Sequence, residues 1–112
     1  EPSMLSKKTR TILLDPQNVI HVSIVSIWEV SIKLSIGKLK LAKSLNEIIE
    51  EMDRIDFLIR PISVEALRLV RHLPFFHRDP FDRLIISQAQ VDESVVLTKD
   101  SKFELYNVDV IW

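Results

Sequence analysis

Gly37 is the only glycine in a chain of 112 residues, and only five prolines accompany it. Glycine supplies the backbone freedom that tight turns and phosphate-cradling loops require. A chain so poor in it commits most of its length to regular structure joined by short connections. It also cannot build the glycine-rich loop of a nucleotide site, nor a G-x-S-x-G nucleophile elbow. With 46% hydrophobic and 28% charged residues, disorder, collagen and coiled coil are excluded. No internal repeat or Gly/Ser-rich linker interrupts the sequence, so residues 1–112 are expected to form a single domain.

Cysteine is absent, which removes disulfides, a thiol nucleophile and cysteine-ligated zinc from consideration. No run reaches the about 18 apolar residues that a bilayer span needs. The opening Glu1-Pro2-Ser3-Met4 lacks the basic-then-apolar pattern of an export signal, and a cytoplasmic location is the expectation. The formal net charge is −1, divided as +4 over residues 1–43, −4 over 44–66 and −1 over 67–112. That balance is the pattern of an ordinary solvated surface rather than of a strongly basic polyanion binder.

Residues 5–14 read as a helix ending before Asp15-Pro16, and 19–23 as a short buried strand. The apolar stretch 24–36 is too long for one strand and reads as a helix stopped by Gly37. Ser44 and Glu47 have capping-box spacing at the start of another helix. Residues 57–62 form a strand candidate interrupted by Pro61, and Ser63 caps a helix through Arg71. After a loop over 74–79, Asp79 caps a helix with Pro80 at its first position, running to about Val91. Residues 95–98 and 109–112 close the chain as strands around a helical turn at 102–105. Strands alternating with helices at this spacing argue for an α/β fold: a mainly parallel sheet covered by helices on both faces. In such folds the ends of the strands and the starts of the following helices share the ligand-binding edge.

Three acidic residues fall near that edge. Glu29 lies within an otherwise apolar helix, bearing Ile24, Val25, Ile27, Trp28, Val30, Ile32, Leu34 and Ile36. A helix apolar on nearly its whole circumference is expected to be mostly buried, and a buried carboxylate needs compensation. Two sources stand side by side: an ion pair with Lys33 four residues on, or a metal ion. Asp82 lies in a first helical turn, where the free N–H groups already favour an acid. Asp100 follows a strand, where it could simply cap the next turn, and Asp79 reads foremost as an N-cap. Taken together, the parallel sheet brings Glu29, Asp82 and Asp100 to one edge. Three converging carboxylates repel one another unless a cation lies between them. Oxygen donors without cysteine suit Mg²⁺ or Mn²⁺, ions usually bound with substrate phosphate oxygens. That points to phosphoryl chemistry. His72 and His77, five apart, do not form a helical zinc pair and read as hydrogen-bonding loop or surface residues. His21 reads as a residue at the edge of the core, and Trp28 and Trp112 as packing anchors.

The residues at these acids resemble a known family. Residues 22–41, VSIVSIWEVSIKLSIGKLKL, resemble the segment around the second acid of PIN-domain ribonucleases, and among them of the VapC-like toxins of toxin–antitoxin pairs. Residues 73–89, LPFFHRDPFDRLIISQA, resemble the block carrying the third acid, and residues 96–103, VLTKDSKF, the fourth. With the closing VDVIW the resemblance spans about residues 19–112. It implies a three-layer α/β/α domain and a Mg²⁺- or Mn²⁺-dependent endoribonuclease, in which water attacks an RNA phosphodiester in line. Glu29, Asp82 and Asp100 would be its catalytic and metal-site carboxylates, with Asp79 close by as a further ligand. Lys33, Lys38, Arg78, Arg83 and Lys99 flank them and would position the RNA backbone, although each has an ordinary salt-bridge reading. The implied partners are RNA, a cognate antitoxin, and a second copy of the chain in a homodimer or strand-complemented assembly.

The resemblance is incomplete at the N-terminus. Family members begin with a central strand bearing the first acid, in a pattern like Leu-Leu-Asp-Thr-His, and this sequence starts downstream of it. The expectation is that the central strand comes from elsewhere: a separate peptide of the same polypeptide, a swapped partner chain, or residues removed from this one. The alternative reading is a catalytically inactive, truncated PIN domain that binds an antitoxin or another protein. Metal binding separates the two.

Overall fold

A computed structural model describes residues 5–112. The export-signal reading of Glu1-Pro2-Ser3-Met4 lies outside the described residues.

Helix starts follow the polar residues that interrupt the apolar pattern, since a side-chain oxygen there accepts an otherwise orphaned N–H. Ser6 caps α1 (Lys7–Leu14) by accepting from the Thr9 N–H at 3.0 Å. Ser23 caps α2 (Ile24–Ser35) through the Val25 N–H at 3.1 Å. Ser44 caps α3 (Leu45–Arg54) through the Glu47 N–H at 3.1 Å, and its hydroxyl donates to the Glu47 carboxylate at 3.2 Å. Ser63 caps α4 (Val64–Val70), and Asp79 caps α5 (Pro80–Asp92) with Pro80 in the first turn. A 3₁₀ helix, Ser101–Leu105, starts at Asp100.

Among the described residues all strand pairing is parallel. Strand β1 (His21–Ser23) pairs with β2 (Leu58–Arg60), His21 opposite Leu58 and Ser23 opposite Arg60. Strand β3 (Val96–Leu97) pairs with β4 (Val110–Ile111), Val96 opposite Val110. The α/β class read from the alternation holds. In place of one continuous sheet, the described residues form two two-stranded sheets.

The chain divides into two compact units. The first, Glu1–Asn18 with Ile62–Trp112, holds α1, α4, α5, β3 and β4. Its core is Leu73, Ile86, Phe103 and Tyr106, against which Val70, Ile85, Val96, Val108 and Val110 pack. Two buried polar residues tie α4 to α5. The Ser87 hydroxyl donates to the Ala66 carbonyl, and the Gln88 side-chain carbonyl accepts from the Ser63 N–H at 2.8 Å. The second unit, Val19–Pro61, holds β1, α2, α3 and β2.

Helix α2 departs from its sequence reading. Val25 is its one buried residue, and Trp28, expected as a packing anchor, is 53% exposed. A protein of this size has too much surface for its volume to enclose a helix that is apolar all round. His21, expected at the edge of the core, is exposed on β1. Among the described residues no helix is long and apolar enough to cross a membrane.

Candidate metal centre

The loop between α4 and α5 is fixed from the inside by Arg83. The sequence reading puts this side chain among the RNA-facing cations; in the structure Arg83 is buried, only 6% exposed. Its guanidinium donates to the carbonyls of Pro74 at 2.8 Å, Val70 at 2.9 Å and Leu73 at 3.2 Å, with the Phe75 ring 4.0 Å away. A planar fork of five donors can satisfy several carbonyls at once, which explains an arginine in the interior. Tyr106 adds a second clamp. Its hydroxyl donates to the Pro74 carbonyl at 2.9 Å and accepts from the His77 backbone N–H at 2.8 Å.

These clamps deliver His77 into the interior. Its ring meets Phe103 edge-on at 4.9 Å between centroids and stacks on Tyr106 at 5.6 Å. Its Nε2 lies 3.0 Å from Asp100 Oδ2. Asp100 lies three residues beyond the end of β3, and its other oxygen accepts from the Lys102 N–H at 3.0 Å. The His77 hydrogen bond, followed by that of Lys102, holds the Asp100 carboxyl below the usual aspartate range; partial burial opposes this more weakly. Asp82 sits in the first turn of α5, where its backbone N–H reaches the capping Asp79 at 3.4 Å.

One ligand atom from each of His77, Asp82 and Asp100 lies within 4.8 Å of the other two. Donors on opposite sides of a magnesium-sized ion at about 2.1 Å each are about 4.2 Å apart, so small side-chain movements would bring the group into one coordination sphere. Two carboxylates supplying hard oxygens fit a divalent cation of the Mg²⁺ or Mn²⁺ kind.

The pattern of the PIN domain matches residues 3–109, nearly the whole sequence and both units. The chain belongs to the PIN domain family. No curated protein matches it. PIN domains are generally metal-dependent nucleases, typically using divalent ions, and membership gives this PIN domain a nuclease character in general.

Within the first unit of this PIN domain the structure brings together Asp82 and Asp100 of the acids read from the sequence. Glu29 belongs to the second unit, where Lys33 Nζ lies 2.9 Å from its carboxylate, the ordinary i,i+4 pair. Asp79 accepts from the Phe81 N–H at 2.8 Å as the α5 cap and is not in the three-residue group. Lys38, Arg78 and Lys99 are exposed, and so is Lys33. His77 is the residue the sequence reading passed over. From the sequence it reads as a hydrogen-bonding loop residue, which it is, but its partner lies 23 positions away and only the fold makes the pair.

Proposed function

We propose that this PIN domain is a Mg²⁺- or Mn²⁺-dependent endoribonuclease and the toxin of a toxin–antitoxin pair. The observation that carries the reading is the placement of Asp82 and Asp100 side by side, one from a helix start and one from a strand end. When bound, a divalent cation supplies Lewis-acid stabilisation of the charge that develops on the phosphate. Asp82 and Asp100 would hold it. Arg78 and Lys99, exposed and adjacent in sequence to the acidic segments, draw the RNA backbone in. Water adds to phosphorus as the bond to the leaving nucleoside oxygen breaks. The likeness of its segment to that around the second acid of VapC-like toxins supports Glu29 as a further catalytic acid, and the same likeness supports an antitoxin partner and a homodimer.

The test is cleavage of a mixed-sequence RNA by the purified protein. Activity should require Mg²⁺ or Mn²⁺, vanish in chelator, and fall by about 100-fold or more in Asp82→Asn and Asp100→Asn. Glu29→Gln, assayed beside them, should fall likewise while keeping its fold. Cleavage that survives chelator, or a folded wild type that binds antitoxin yet neither binds the ion nor cleaves, would overturn the enzyme reading.

A further inference from the structure

We propose that His77 is a positioning residue for the cation site: it holds Asp100 in the orientation that ligates and is not itself a ligand. The inference rests on the assignment of Asp82 and Asp100 as metal carboxylates. An ionised carboxylate only accepts, so as a hydrogen bond the 3.0 Å contact to Asp100 Oδ2 has His77 Nε2 as its donor. A protonated ring nitrogen has no lone pair for a metal. The other nitrogen, Nδ1, is fully buried and has no hydrogen-bond partner among the described residues. A buried nitrogen left unsatisfied is uncommon in folded proteins. The ring accepts that arrangement because Tyr106 stacks on it, Phe103 meets it edge-on, and the Tyr106 hydroxyl anchors its backbone. Its orientation therefore serves the bond to Asp100 and not the satisfaction of both nitrogens.

The consequence for Asp100 is that both oxygens are oriented, Oδ2 by His77 and Oδ1 by the Lys102 N–H, while each keeps a lone pair for an ion. Partners that hold metal carboxylates in this way set affinity without touching the metal. Thr98 contributes from the same side, its hydroxyl accepting the Asp100 N–H at 3.1 Å.

The experiment is calorimetric titration of Mn²⁺ into the full chain as wild type, His77→Leu and His77→Gln, with a melting curve of each. Glutamine places an amide N–H near the position of Nε2 and restores donation to Asp100 but is a poor substitute for an imidazole ligand. His77→Leu should weaken Mn²⁺ binding by about 10- to 100-fold, and His77→Gln should stay within about threefold of wild type. Should the leucine variant fail to fold, His77→Asn replaces it, since its amide is too short to reach Asp100; weak binding there with tight binding in His77→Gln gives the same support. Equal affinity in wild type and His77→Leu would overturn the proposal and leave the carboxylate site standing. A glutamine variant as weak as the leucine would overturn it in favour of direct ligation. No Mn²⁺ binding by the wild type would overturn the site assignment itself and this inference with it.

Discussion

Arg83 shows how one side chain's meaning depends on its surroundings. In the sequence it is one of two arginines in an HRDPFDR block beside acidic residues, and charge alone places it at the surface. In the fold it meets three carbonyls of the turn that ends α4, none of them recognisable as its partners from spacing. Replacing it with Met leaves those carbonyls without their donor, and the cost in urea unfolding should be about 3 kcal/mol. Lysine should recover little of that, because one ammonium cannot span three carbonyls as a fork does. His77 was hidden for a similar reason, while Asp82 and Asp100 could be read because element ends announce themselves locally. A surface pair behaves differently. Lys43 bonds Glu51 and holds its carboxyl below the usual glutamate range, first through that hydrogen bond. A lowered folded value means the contribution to stability is present above the unfolded value and lost as pH falls through the folded one. The Glu51 carboxyl, followed by NMR, should titrate below an ordinary glutamate and return toward it in Lys43→Met or in high salt.

Three helices end in the same way. After α2, α3 and α5, a left-handed residue lets the chain turn back: Gly37 at φ 71°, Asp56 at φ 61° and Glu93 at φ 54°. In each, the following N–H returns to a carbonyl five residues earlier: Lys38 to Lys33 at 2.9 Å, Phe57 to Met52 at 2.9 Å, and Ser94 to Ala89 at 3.0 Å. This is the Schellman arrangement, which glycine enters without steric cost. Only Gly37 gives a plain sequence signal, because aspartate enters the left-handed region only occasionally and glutamate has no preference for it. Glu93→Gly should therefore stabilise by about 0.5–1 kcal/mol, net of the freedom glycine gains when unfolded. Gly37→Ala should cost about 1 kcal/mol, and backbone strain alone would be responsible, since no atom lies within 4 Å of an added Cβ. Thermal melts of the two variants check both signs. Helix starts were plainer than ends: Ser44, Ser63 and Asp79 were read as caps and are caps. The burial of α2 is not legible in the sequence, because periodicity counts apolar residues and says nothing of what is present to cover them.

At the scale of the molecule, alternation of strand and helix sufficed for the α/β class, and the PIN domain pattern over residues 3–109 agrees with it. Strand length and sheet continuity were beyond it, since two- and three-residue strands leave too short a pattern to fix their neighbours. The core around Ile86 should dominate stability in the first unit. With none of its surface exposed, Ile86→Ala should cost about 2–5 kcal/mol and Ile86→Val about 0.5–1.5 in chemical denaturation. What this core achieves for function is to hold the start of α5 and the end of β3 together, so that Asp82 and Asp100 face one small volume. The most direct test is paramagnetic broadening of amide signals by substoichiometric Mn²⁺. Signals of residues 77–83 and 98–103 should disappear first, and should be restored in a folded Asp82→Asn, Asp100→Asn double variant. Broadening centred elsewhere, or unchanged in that variant, would contradict a cation site built on these two carboxylates.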